Sequence, residues 1–305
     1  MVMKVIGCLV GLVGAVMLSG SAMAQAVDAT PRTIIMTAYG PEWTALKAEM
    51  TQTRTDTYAD VTYLVGKLRG KDVVLFRSGV SLVNAAMTAQ AAIDHYTVRR
   101  IVFSGIAGGI NPDLSAGDVV VAEHWSEYLE SVFARKTADG YSVPEWLGET
   151  MPNYGMIFPY PVGIAHPGQD RPEYRTWFDA DPGLISIARA VAGKAVLKSC
   201  LKPDQCLTHA PKVVVGGNGV SGPAFVDNAE FRGWVYATFK ASVVDNESAA
   251  VAHVAYSNHL PFIAFRSLSD LAGGGEGENT EDVLQGLASD NAAAVVVAFL
   301  DALPE

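Results

Sequence analysis

Three consecutive stretches constrain the fold more than anything else in the chain: DVVLFR (72–77), SLVNAAMTAQAAIDHY (81–96) and RIVFSG (100–105). The outer two are apolar runs of strand length, and the Ala-rich stretch between them has helical length, with Ser81 available to cap its first turn. Strand, helix and strand at this spacing make a βαβ unit. That unit commits the chain to a parallel or mixed sheet with helices on its faces.

The rest of the chain follows suit. TIIMTA (33–38), DVVVAEHW (from Asp118), KVVVGG (212–217), ASVVDN (241–246) and PFIAFRS (261–267) read as further strands. LISIARAVAG (184–193), ESAAVAHVAYSN (247–258) and a final segment from Thr280 or Glu281 to about Leu303 read as helices. Between 125 and 210 the pattern dissolves into aromatic- and Pro-rich stretches, predicting long surface excursions. No repeat is present. With 305 residues, half of them hydrophobic, the chain can bury one sizeable core. The expectation is one α/β domain over 25–305, a twisted mixed β-sheet flanked by helices, with an elaborated insertion at 125–210.

The first 24 residues read as a cleaved signal peptide: Lys4, then VIGCLVGLVGAVML, then Ala22-Met23-Ala24 before Gln25. The competing reading is a membrane anchor, against which the apolar run falls short of the ~20 residues a span needs. The expected mature protein starts near Gln25, is periplasmic or secreted, and leaves the membrane once the signal is cut. Cys8 goes with the signal, leaving Cys200 and Cys206 in CLKPDQC. An oxidising compartment pairs them across a short turn; the other reading is two free thiols on a loop. Histidines 95, 124, 166, 209, 253 and 259 have no ligand spacing with these cysteines, so no metal is expected. The net charge of −10 and the lack of any Lys/Arg cluster set nucleic acid aside as a partner.

GNGVSG (217–222) matches the dinucleotide pattern G-x-G-x-x-G after a strand, but Pro223 and AFVDNAEF continue as a loop where a helix should open. Walker A, G-x-S-x-G and H-E-x-x-H sequences are absent. Carboxylates remain. Glu42 follows the first strand, Glu247 stands at a strand-to-helix junction, and Asp270 ends the strand PFIAFRS, all where an open α/β sheet places its ligand crevice. Taken singly, each is equally well read as a first-turn helix acid or a turn cap. The run SGIAGGINPDLSAGDVVV (104–121) lets backbone amides approach a ligand closely, or else makes an ordinary tight turn.

Side by side, TAYGPEWTALKAEM, FRSGVSLVNAAMTAQ, VFSGIAGGINPDLSAGDVVVA, GNGVSGPAFV and VDNESAAVAHVAYSNHLPFIAFRSLSD resemble the nucleoside phosphorylase superfamily. The likeness is closest to its methylthioadenosine/S-adenosylhomocysteine nucleosidase branch and spans roughly residues 33–303. The resemblance implies that Asp270 protonates the purine N7, with Ser269 steadying it, and that Glu42 activates the attacking water. It further implies that Glu247 binds the ribose hydroxyls, that Phe225 stacks on the base beside the Val226 backbone, that Ala107 and Gly108 lie near the sugar, and that Arg266 is close by. It implies no cofactor, and a homodimer acting on a small-molecule purine nucleoside. Two positions depart from the family: Asn246 replaces its usual methionine, and Ile106 stands where many members have a small or hydroxylated residue.

The first loop, AYGPE, and the turn SGIAGG carry no arginine to hold phosphate, and Arg77 sits on a strand where it faces either way. The expected function is therefore an exported purine nucleosidase hydrolysing adenosine-type nucleosides. The alternatives are a phosphate-dependent phosphorylase and a nucleoside-binding protein without catalysis.

Overall fold

A twelve-stranded mixed sheet forms the centre of the chain in the computed structural model, which describes residues 28–203, 205–274 and 281–304. The expected signal segment, 1–24, lies outside the described residues. From the start come β1 (Asp28–Thr37), α1 (Gly40–Lys47), β2 (Met50–Tyr58), β3 (Val61–Leu68), β4 (Lys71–Arg77), α2 (Leu82–His95) and the long β5 (Tyr96–Gly109). Next are β6 (Val119–Val121), β7 (His124–Glu127), β8 (Phe178–Asp179), α3 (Pro182–Val191) and β9 (Val213–Val215). The chain closes with β10 (Asn218–Ser221), α4 (Ala229–Phe239), β11 (Ala241–Asp245), α5 (Ser248–Ser257), β12 (Phe262–Asp270) and α6 (Glu281–Ala302).

The sheet order is β8-β7-β10-β11-β5-β1-β4-β3-β2, with β12 bridging β5 and β6, and β9 beyond β6. The expected βαβ unit is present: β4 and β5 both run parallel to β1, which lies between them. Strands covered on both faces read as continuous apolar runs, because successive residues serve opposite cores. Ile34, Met36, Phe103 and Ala264 pack under α2 and α5, whereas Ile35, Val102, Ile263 and Phe265 pack under α3 and α6. A third cluster joins α4 to the β10–β11 edge through Val220, Val235, Phe239 and Val244.

One strand, β2, has no apolar signature. Its sequence, MTQTRTDTY, is almost wholly exposed at the edge of the sheet, where polar residues discourage pairing with another chain. The two-residue turns on either side of β3 place Ala59, Asp60, Arg69 and Gly70 at positive φ, and an Ala-Asp turn lacks the Asn-Gly signal of such hairpins.

The 125–210 stretch differs from expectation. It is not only surface excursion, since β7 and β8 extend the main sheet and fully bury Trp125 and Phe178. Short two-stranded ribbons account for much of the remainder. Cys200 and Cys206 are joined in a disulfide that closes one of these ribbons. The ribbon is tied to α6: Asn291 accepts from the Lys198 N–H (2.7 Å) and donates to the Lys198 carbonyl (3.0 Å).

GNGVSG is the strand β10, not a loop that opens a helix. A Cβ at Gly219 would stand 2.6 Å from the Trp125 ring, and one at Gly222 would stand 2.5 Å from Tyr128. These glycines make room for aromatic side chains rather than for a pyrophosphate. Among the described residues no helix is long and apolar enough to cross a membrane.

Candidate active site

The long strand β5 organises the site. Its first half pairs with β1, β12 runs beside it from Ile101 to Gly108, and its last residues, Gly108 and Gly109, pair with β11, so three neighbouring strands end around one turn. That turn borders a cavity of about 530 Å³ lined by Glu42, Ile106, Ala107, Gly108, Phe225, Val226, Asn246, Glu247, Ser269 and Asp270, with Tyr39, Val80, Ser81 and Gln285 around them. Nine of the ten expected substrate-handling residues therefore meet in one place. The tenth, Arg266, is fully buried beneath them and does not face the cavity.

Glu42 is held at the start of α1. One carboxylate oxygen accepts from the N–H groups of Ala38 (2.6 Å) and Tyr39 (3.3 Å), closing a capping box; the other reaches across to the Ile106 N–H at 2.9 Å. The first-turn and the site readings of this acid thus hold together, because the second oxygen leaves the helix and enters the cavity wall. Burial pushes the Glu42 carboxyl above the usual range, while the Arg266 charge and the three amides pull against it. Gly105 makes this packing sterically feasible: a Cβ there would lie 2.2 Å from Arg266 Nη1 and 2.6 Å from Glu42 Oε1.

Glu247 stands at the N-cap position of α5, and its side chain accepts from the Ser81 N–H at 3.1 Å, a contact spanning 166 residues of sequence. Ser81 adopts φ 113, a conformation side chains rarely take, and its hydroxyl accepts from Asn84 N at the same time. Burial, with Asp245 and Glu42 adding negative charge, raises Glu247 to about 7 against the pull of Arg266.

Arg266 is the hub under the floor. Its Nε lies 2.7 Å from Asp245 Oδ2 and 2.8 Å from Ser248 Oγ, and its Nη2 lies 3.5 Å from Glu247. Its guanidinium stacks 4.1 Å over Phe103 and donates to the Ile106 carbonyl at 3.3 Å. One buried cation thus serves Glu42, Asp245 and Glu247, which is how so many acids tolerate one small volume.

Asp270 ends β12. It accepts from Ser269 Oγ (2.9 Å) and from the Ala272 N–H (2.7 Å), and burial, reinforced by Asp227, raises its pKa against those two bonds. Phe225 is largely exposed at the cavity rim, and Val226 is buried behind it. Among the described residues the lining holds no Lys, Arg or His. Arg77 points away, exposed against the Trp43 ring.

Gly105, Asp245, Ser248 and the backbone of Ser81 escaped sequence reasoning. Ser81 was legible only as a helix cap, and nothing in Asp245 itself announces the fully buried arginine it pairs with.

A profile of the phosphorylase superfamily matches residues 32–301. The chain belongs to the phosphorylase superfamily. It is 28% identical over 264 residues to a 5′-methylthioadenosine/S-adenosylhomocysteine nucleosidase of Marinomonas sp. (strain MWYL1), covering 86% of this chain and 95% of that one. Among solved structures, a Helicobacter pylori MTAN mutant with 5′-methylthioadenosine in its active site superposes with a TM-score of 0.67 at 20% identity, over 90% of this chain and all of that one. The futalosine hydrolase of Helicobacter pylori strain 26695 also superposes with a TM-score of 0.67 at 20% identity, over 90% and 98%. Phosphorylase-superfamily membership and the mixed-sheet fold expected from the sequence are thus both in place.

Proposed function

We propose that this member of the phosphorylase superfamily is an exported purine nucleosidase that hydrolyses the N-glycosidic bond of adenosine-type nucleosides. The observation that carries the reading is the cavity lining: four buried carboxylates, Glu42, Asp245, Glu247 and Asp270, and among the described residues no cationic side chain to hold phosphate. Water is the nucleophile such a lining accommodates, and the curated relatives named as nucleosidases support the same reaction.

In this reading Glu42 takes a proton from a water as its oxygen bonds to the anomeric carbon. The bond from that carbon to the base nitrogen breaks, and Asp270 delivers a proton to the purine N7, so the base leaves neutral. Glu247 accepts from the sugar hydroxyls, and its charge favours the positive character that develops on the sugar. Ser269 holds Asp270 from one side. Phe225 stacks on the base beside the Val226 backbone, Ala107 and Gly108 border the sugar, and Arg266 acts through the carboxylates it pairs with.

Export rests on the 1–24 segment and is supported by the disulfide between Cys200 and Cys206, a bond that persists in oxidising compartments. A homodimer is supported by the exposed stripe of Val80, Val83 and Met87, which runs from the cavity rim along α2. The deciding experiment incubates residues 25–305 with purine nucleosides in phosphate-free buffer and follows free base by chromatography. Base release without phosphate is expected; release only after phosphate addition makes the protein a phosphorylase and removes Glu42 as the water-activating base.

A further inference from the structure

The side chain of Asn246 is half used by the protein. It sits in a turn fixed by Asp245, whose Oδ1 accepts from the N–H groups of Glu247 (3.2 Å) and Ser248 (3.1 Å) and from the Ser221 hydroxyl. That turn brings Asn246 and Glu247 to the cavity together. The Asn246 Nδ2 donates to the carbonyls of Gly222 (2.6 Å) and Ala224 (3.3 Å). Both partners are acceptors, so the orientation of the amide follows from chemistry: only its NH₂ can face them. Both N–H bonds are then spent, and Oδ1 has no partner among the described residues. An acceptor is left over on a cavity-lining residue next to Glu247, on a side chain already immobilised by two bonds.

We propose that Asn246 is a specificity-determining residue whose Oδ1 accepts a hydrogen bond from a sugar hydroxyl. With Glu247 it presents two adjacent acceptors and selects ribonucleosides, which carry a vicinal diol, over their 2′- or 3′-deoxy counterparts. The inference rests on the nucleosidase reading above and narrows its substrate class. It also gives Asn246 a second duty: the two carbonyls it binds belong to the 222–226 loop, so the side chain that meets the sugar also holds the segment bearing Phe225 and Val226.

The test compares adenosine, 2′-deoxyadenosine and 3′-deoxyadenosine as substrates of the wild type, of Asn246→Leu, which keeps the shape without donor or acceptor, and of Asn246→Asp, which keeps an acceptor only. Wild type is expected to prefer adenosine to at least one deoxy analogue. The ratio of kcat/KM values should fall about two- to tenfold in Asn246→Leu, the worth of one neutral hydrogen bond. Asn246→Asp should retain the ratio at a lower overall rate. Equal losses on all three substrates would confine Asn246 to holding the loop and overturn the proposal, as would an unchanged ratio. Circular dichroism establishes that the variants are folded, and Asn246→Ala replaces Asn246→Leu if the latter is not. If the wild type releases base from none of the three, the nucleosidase reading fails separately. The ratios are then read from calorimetric binding constants: a preference for adenosine that Asn246→Leu abolishes supports the proposal, and absence or survival of that preference overturns it.

Discussion

Asp270 shows what one residue gains from its address. At the end of a buried strand it is held by Ser269 and Ala272 in a site that favours its protonated form. Asp270→Asn keeps the shape and removes the transferable proton, so base release should fall by about 100-fold or more, measured as kcat on adenosine. Glu247 carries a pH signature of its own. Its pKa is raised from 4.5 to about 7, so the folded state binds a proton that the unfolded state has already lost. The contribution of Glu247 to the stability of the unliganded protein is therefore full below about pH 4.5 and is lost as pH rises through 7. Thermal melts across that window should show the decline, and Glu247→Gln should make it shallower. It should not abolish it, because Glu42 and Asp270 shift in the same direction. A Glu247→Gln profile as steep as wild type would remove Glu247 from this account. At this scale the acids were legible because strand ends and helix starts can be read from local pattern. Asp245 and Gly105 were not, because their roles come from Arg266, a partner supplied by a different strand.

At the scale of elements, β10 corrects a motif. Gly219→Ala pushes a methyl against the Trp125 ring and should destabilise by about 1–3 kcal/mol, read from denaturant midpoints. A neutral outcome there would mean that the aromatic packing is looser than described. Legibility follows burial at this scale too. Apolar strands such as β4 and β12 were readable, whereas β2 joined the sheet through backbone pairing and an Ala59-Asp60 turn without a glycine signal. Phe178 was hidden in a stretch whose prolines and aromatics looked like loop. The disulfide ribbon makes a further expectation. Closing so short a loop contributes about 2 kcal/mol, so reductant or Cys200→Ser should lower the melting temperature by a few degrees without unfolding α6.

For the whole molecule, charge and assembly matter more than any contact. The −10 net charge keeps copies apart unless an apolar face overrides it, and in the proposed dimer the exposed Val83 and Met87 stripe is that face. Light scattering on residues 25–305 should report a dimer, and Val83→Asp with Met87→Asp should convert it to monomer; an unchanged mass for that variant would move the interface elsewhere.

The branching of the sheet at β5 has a consequence in time. Glu42 reaches Ile106 across 64 residues and Glu247 reaches Ser81 across 166, while Asp270 arrives on β12, which fills the side of β5 opposite β1. A growing chain thus makes Glu42, the proposed water-activating base, early and Asp270, the proposed proton donor, close to the end. Until β12 is made, β5 offers an open edge and an incomplete pocket. A chain threaded out of the cell in order would become active only on the far side, with its cargo of synthesis nearly complete.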